Sequence, residues 1–215
     1  MICDVHGDAD AYAAAVEGAR AERLFIIQLG DLTDGGSDSP EVLRRTFALL
    51  DARAGLFLLG NHDHYLPNGN SRGEEGYAYK LRWMERLRAL TAERLDRFTP
   101  LAILGDFNVC PTEADLAPRT LPPTDALVRP ESRAAFRALV NLGLTDAVRA
   151  LHPEEAIYTY WDYGPAFEQN RGLRIDHALL SAELAERLTG TSVDVAARAA
   201  ESPSDHAPVL FDLAD

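Results

Sequence analysis

The sequence predicts an α/β fold with a mixed, layered sheet core. Three short apolar runs point to it: LFIIQL (24–29), GLFLL (55–59) and LAIL (101–104). A glycine stops each run, and a carboxylate or amide follows directly at Asp31, Asn61 and Asp106. Over residues 1–59 such runs alternate with helix-prone stretches. This β-α-β-α-β rhythm predicts parallel strands with polar groups gathered at one sheet edge.

Met1–Cys3 reads as a short strand ending at Asp4, and the alanine-rich stretch 9–21 as an amphipathic helix. LFIIQL is a buried strand. Ser39-Pro40 opens a helix through Leu50, with serine as cap and proline at the first helical position. GLFLL is the next strand, and 66–76 is a polar loop. Residues 77–97 form a long helix with Tyr77, Leu81, Met84, Leu87 and Leu95 near one stripe. After the strand at LAIL, five prolines make 111–130 irregular. A helix over 132–141 ends at Gly143, and strands follow near 157–161, 173–180 and 207–213. No repeat, low-complexity tract or linker appears, which favours one compact body or two intimately packed halves.

At 215 residues and 47% hydrophobic content the chain has enough material for one sizeable core. No apolar run approaches the ~18–20 residues of a membrane span, and no charged-then-apolar leader opens the chain. Cys3 and Cys110 are in neither a metal nor a redox spacing, so a reduced, cytoplasmic setting is expected. The net charge of −13 argues against non-specific polyanion binding. Carboxylates clustered around a cation raise the acidic count without repelling a substrate. Charge is uneven, with an acidic excess in 1–64 and a basic excess in 65–98. That basic stretch is either a solvated helix face or a phosphate-steering surface.

Residues 1–64 carry DVHGD, GDLTD and GNHDH in that order. Asp4 and His6 alternate after the first strand, so both can aim at one space once the chain turns at Gly7. Asp31 and Asn61 follow the next two strands. Such oxygen and imidazole donors suit Mn²⁺, Fe²⁺ or Zn²⁺, and a shared aspartate can bridge two ions. A lone strand-end aspartate is usually a cap or turn residue, whereas three motifs in order are a specific pattern. They resemble the calcineurin-like metallophosphoesterases. The resemblance implies that Asp4, His6, Asp31 and Asn61 are metal ligands, and that His62 stabilises or protonates the leaving group. The late G-H-x-H of that family is missing, and Gly35 stands where many of its members carry arginine.

From Tyr65 the motifs change. YLPNGN, YKLRWMERL, GDFNVCPTEADL, ESRAAFRALVNLGLTDAVR, YWDY, NRGLRIDH and PSDHAPV follow in order within residues 65–213. They resemble the carboxy-terminal half of the exonuclease III family, within the endonuclease/exonuclease/phosphatase superfamily, which acts on DNA ends and abasic sites. The resemblance implies that Tyr65 contacts the scissile phosphate and that Asp106 orients or deprotonates the attacking water, helped by Asn108. Asp176 would fix the network, Asp205 would bind metal, and His206 would hydrogen-bond a phosphoryl oxygen. Tyr160 and Trp161 would lie near the sugar pocket, with Arg171 and Arg174 near the phosphate. Elementary chemistry agrees, because phosphodiester hydrolysis needs an oriented water, a cation and help for the leaving oxygen.

Plainer readings apply to other residues. Asp146 and Asp162 read as cap and turn residues, His64 and His152 as surface or packing groups, and Trp83 and Met84 as core. His177 follows Asp176 on an apolar strand and so points to the opposite face. The Tyr158–Tyr163 cluster is either sheet packing or DNA-facing. The early asparagine and the Q-E glutamate of the exonuclease III family are absent from 1–64, where Asp4, His6 or Asp31 would have to stand in.

These readings combine into a layered α/β sandwich with two halves packed as one body. Residues 1–64 form a metallophosphoesterase-like half and 65–215 an exonuclease III-like half. The expected activity is divalent-metal-dependent hydrolysis of DNA phosphodiesters with Mg²⁺ or Mn²⁺, of exonuclease or abasic-endonuclease type and suited to DNA repair. The alternatives are a metallophosphatase using the amino-terminal motifs, or a catalytically inactive hybrid. DNA or another phosphoester is the expected partner, with no membrane and no protein partner.

Overall fold

The structure is a computed structural model that describes residues 9–21, 25–29, 38–51, 55–58, 73–96, 100–199 and 204–214. Asp4, His6, Asp31, Asn61, His62, His64 and Tyr65 lie outside the described residues, as does the strand expected at Met1–Cys3. Helices α1 (Ala9–Ala21) and α2 (Ser39–Asp51) meet through Tyr12, Val16, Val42 and Leu49. Tyr12 Oη and Thr46 Oγ1 share a hydrogen bond of 2.8 Å across that contact. The cap of α2 lies one residue earlier than Ser39-Pro40 suggests. Asp38 Oδ1 accepts the Glu41 amide at 3.0 Å, and its carboxylate also complements the positive end of the helix dipole.

Five strands form the main sheet: β1 (Phe25–Leu29), β2 (Gly55–Leu58), β3 (Leu101–Asp106), β4 (Thr145–Asp146) and β5 (Asp176–Leu180). Their order is β2-β1-β3-β5-β4. β1 is parallel to β2 and β3, while β5 is antiparallel to β3 and β4, so the sheet is mixed. Ile26 pairs with Ala102 in the β1–β3 register, so strands from either side of residue 64 share one ladder.

The period of two sorts β3 and β5 onto two cores. On one face Leu101, Ile103 and Leu179 meet Met84 and Leu87 of α3 (Glu74–Leu95). Phe136 and Leu139 of α4 (Pro130–Val140) complete that cluster. On the other face Ala102, Ala178 and Leu180 meet Ala147 of α5 (Ala147–Leu151) and Leu184 of α6 (Ala182–Glu186). Beyond them lies an antiparallel pair, β6 (Leu188–Val193) and β7 (Val209–Leu213), contributing Leu188, Phe211 and Leu213. The result is a layered α/β sandwich. Each fully buried leucine contributes roughly 1.5–3 kcal/mol.

The strand expected at 157–161 is reduced to isolated bridges from Tyr160 to Leu173 and His206. Here the amides of Thr159 and Tyr160 both donate to the Leu173 carbonyl, at 2.8 and 2.9 Å, so no regular ladder continues. For a related reason β5 starts at Asp176 rather than near 173: the Arg174 amide turns aside to the Asp115 carbonyl at 2.7 Å. Helices α5 and α6 and the four-residue α7 (Val195–Arg198) are too short to show a periodic pattern.

Candidate active site

Asp106 ends β3 and Asp176 begins β5, and the two are paired in the antiparallel register. Strand alternation puts both on the face that carries Ala102, Leu104 and Ala178. Each carboxylate has its own clamp. Asp106 Oδ1 accepts the Asn108 amide and Asp106 Oδ2 accepts Asn108 Nδ2, both at 2.6 Å. Asn108 reaches both oxygens because it adopts a left-handed conformation (φ 52°), which asparagine tolerates better than most residues. Asp176 Oδ2 accepts the Thr159 hydroxyl at 2.6 Å, and His206 Nδ1 lies 3.0 and 3.1 Å from its two oxygens. Burial alone would raise the Asp176 pKa, but His206 and Thr159 hold it below the ordinary carboxylate value.

Around this pair the Tyr160 ring packs edge-on against His206, with centroids 5.0 Å apart. The Trp161 amide donates to the Asp205 carbonyl at 2.9 Å, and the Ala207 amide to the Thr159 carbonyl at 2.7 Å. Asp205 and His206 are thereby fixed just ahead of β7. Trp161 itself is buried among Tyr158, Ala166 and Phe167, with Nε1 donating to Asn170 Oδ1 at 3.2 Å. It supports this wall from beneath, while Tyr160 borders His206 directly.

The loop after Asp106 is anchored through three successive carbonyls. Lys80 Nζ donates to Asn108 O, His177 Nε2 to Val109 O at 2.9 Å, and Arg133 Nε to Cys110 O at 2.9 Å. As the alternation predicts, His177 sits on the opposite sheet face, against Phe107 and Phe136. Burial, reinforced by the Arg174 guanidinium, pulls its pKa down to about 4, so it is neutral near pH 7. Arg174 NH1 donates to His177 Nδ1 at 2.9 Å, which leaves the proton on Nε2 for Val109.

Arg174 requires a correction. Expected beside the phosphate, it is fully buried and bridges two carboxylates. Its Nε donates to Asp115 Oδ1 at 2.6 Å, and NH1 and NH2 donate to Asp146 at 3.1 and 2.9 Å. An arginine whose donors are consumed inside the core has none to offer a ligand. Arg171, by contrast, is exposed. Asp146 does cap α5 through the Arg149 amide, and also serves as half of this ion pair.

Three residues of this arrangement escaped the sequence reading. Asp115 carries a legible signal, because Thr112 and Asp115 form a reciprocal capping box. Thr159 lies hidden in an aromatic run, and Lys80 on a helix reads as one more solvated charge.

Among the described residues no group of three or more His, Cys, Asp or Glu side chains converges on a metal position. A hard cation that keeps several waters needs only one or two protein carboxylates. Asp205, fixed beside His206, fits that requirement as a single donor. Among the described residues no helix is long and apolar enough to cross a membrane. Cys110 is a buried free thiol whose pKa burial pushes up to about 12.

A model of the endonuclease/exonuclease/phosphatase family matches residues 15–206. Exodeoxyribonuclease III of Haemophilus influenzae is 32% identical over 213 residues, which is 95% of this chain and 77% of that protein. DNA repair nuclease APEX1 of Danio rerio is 36% identical over 152 residues, 70% of this chain but only 47% of that protein. Among solved structures, the 3'-5' exonuclease NExo of Neisseria meningitidis superposes with a TM-score of 0.63 at 39% identity, covering 70% of this chain and 59% of that one. An AP endonuclease from Archaeoglobus fulgidus gives 0.60 at 35% identity, covering 64% and 55%. The chain thus spans about half the length of several relatives it matches. The family match and the Haemophilus alignment both cross the boundary at residues 64 and 65, and give no support to a separate metallophosphoesterase-like half.

Proposed function

We propose, given that this chain belongs to the endonuclease/exonuclease/phosphatase family, that it is a divalent-metal-dependent phosphodiesterase acting on DNA, of exonuclease III or abasic-endonuclease type. The observation that carries this reading is the Asp106–Asp176 register pair, with Asn108 clamping one carboxylate and His206 the other. Two carboxylates in different surroundings can take different roles at one pH. Asp106, held at both oxygens by Asn108, orients the attacking water and takes its proton. Asp176 fixes the ring of His206, whose Nε2 hydrogen-bonds a phosphoryl oxygen. Tyr160 borders the sugar pocket over Trp161, Arg171 meets the backbone phosphate from the exposed rim, and Tyr65 contacts the scissile phosphate.

Mg²⁺ or Mn²⁺, when bound, supplies positive charge to the phosphoryl oxygens. Asp205 would hold it, together with donors drawn from Asp4, His6, Asp31 and Asn61. A reduced, cytoplasmic setting suits the buried thiol of Cys110. The alternative is a metallophosphatase in which those four residues bind the metal and His62 serves the leaving group. It rests on motif spacing in residues 1–64, which also underlies the hybrid reading.

One assay pair separates them. Incision of abasic or recessed duplex DNA with Mg²⁺, abolished in Asp106→Asn, supports the phosphodiesterase. Hydrolysis of p-nitrophenyl phosphate with Mn²⁺, abolished in Asp31→Asn but not in Asp106→Asn, supports the phosphatase instead.

A further inference from the structure

The turn that carries Asn108 is held from behind by a lysine to which the chemistry above gives no role. Lys80 projects from α3, and its Nζ donates to the carbonyls of Asn108 and Ala126, the latter at 2.8 Å. Burial lowers the Lys80 pKa to about 8, against the opposing pull of the Asp106 and Asp125 carboxylates. The ammonium therefore remains the major form at pH 7, within electrostatic reach of Asp106.

We propose that Lys80 is a positioning residue for the Asp106–Asn108 pair, anchoring the Asn108 carbonyl and holding positive charge beside the Asp106 carboxylate. The inference rests on the reading of Asp106 given above. A left-handed residue other than glycine is strained, asparagine less than most, and such a turn persists where its surroundings hold it. At Asn108 the side chain is spent on Asp106 in front, so the carbonyl behind needs its own restraint. The other two anchors of this loop do not duplicate that service. His177 is neutral near pH 7, and Arg133 also pairs with Glu113 at 2.7 Å. Lys80 alone among these three combines a bond to the Asn108 carbonyl with a charge acting on Asp106. Without it the turn relaxes toward negative φ, and the amide swings away from the carboxylate it orients.

The test compares the full-length wild type, Asp106→Asn, Lys80→Met and Lys80→Arg on abasic duplex DNA with Mg²⁺, and follows the Asp106 carboxyl by ¹³C NMR. Lys80→Met is expected to lower kcat about 10²-fold, the cost of a misplacement of about 1 Å, with KM within about twofold. The Asp106 carboxyl should titrate at higher pH in Lys80→Met, and Lys80→Arg should recover part of both effects. If Lys80→Met does not fold, Lys80→Gln replaces it and keeps a donor without the charge. A kcat within about twofold of wild type, or an unmoved Asp106 titration, overturns the assignment of Lys80. An Asp106→Asn protein as active as wild type overturns the reading of the site first. Loss in Asp106→Asn together with wild-type kinetics in Lys80→Met removes Lys80 alone.

Discussion

Asp106 and Asp176 face each other across the β3–β5 ladder, yet they answer to different partners. Asp106 is bound at both oxygens by Asn108, its neighbour two residues on, and Asp176 is bound by His206 from thirty residues downstream. The local clamp is made within the turn that ends β3. The long-range clamp exists only once β7 has docked. Replacing Asp106 by Asn keeps the shape and removes the base. The expected loss in kcat is at least the ~10²–10⁴-fold typical of general acid–base groups, with thermal stability modestly lowered because an amide nitrogen cannot accept the second Asn108 donor. Steady-state kinetics on abasic DNA measures it, and a smaller effect takes Asp106 out of the mechanism.

Asp176 and His206 should behave as one unit. Asp176→Asn alone is expected to lower kcat roughly 10²-fold, because the imidazole loses the partner that orients it. Adding His206→Gln should cost little more than either change alone, since coupled residues are not additive. A double-mutant cycle reads this directly. Two independent losses that multiply would show that the contact has no catalytic consequence.

Arg174 belongs to the core rather than to the substrate. Arg174→Met leaves buried Asp115 with Arg149 as its remaining cation and half-buried Asp146 without a guanidinium, which should cost about 2–4 kcal/mol. Urea denaturation should show that loss, while KM for DNA measured on the folded fraction stays near wild type. An increase in KM without loss of stability would return Arg174 to the phosphate.

Acid should lower the protein's stability in two steps. The His177 pKa is depressed from 6.5 to about 4, by burial first and Arg174 next, so the unfolded chain binds the proton more readily. Its contribution, roughly 3 kcal/mol, is present above pH 6.5 and lost as pH falls through about 4. Burial of Asp115 opposes ionisation, but Arg174, Arg149 and Thr112 together lower its pKa from 3.8 to about 2. That contribution, roughly 2 kcal/mol, is present above pH 3.8 and lost as pH falls through about 2. Melting temperature measured from pH 8 to 2 should begin to fall near pH 6.5, and in His177→Phe that first stage should disappear.

Gly172 lies where backbone meets side chain. A Cβ added there would stand 2.5 Å from the Tyr158 Cβ, an atom that cannot swing aside. Gly172→Ala should therefore destabilise the fold by about 1–3 kcal/mol, seen as a lower denaturation midpoint. An unchanged midpoint would mean that the 158–161 segment yields more readily than its hydrogen bonds suggest.

Periodicity and punctuation alone located β1, β2, β3, β5 and β7 and the helices α1 to α4, because each has a readable apolar pattern and most have a glycine or proline boundary. Asp106 and Asn108 were legible because they follow an apolar run, and strand ends are where a sheet exposes side chains, whereas Asp176 opens β5, His206 stands ahead of β7, and both were legible only through the motif resemblance. The opposite-facing placement of His177 likewise follows from an alternation of two.

Tertiary structure decided which charges meet. Arg174 adjoins the same motif as Asp176, yet its guanidinium turns inward because Asp115 and Asp146, distant in sequence, converge on it. Lys80 looks like any helix-surface lysine until the loop after β3 folds its carbonyls onto it. Apolar periodicity is a local property and is written in consecutive residues. The pairing of buried polar groups is a matter of who is left without water, and that is settled only when separate elements close over one another.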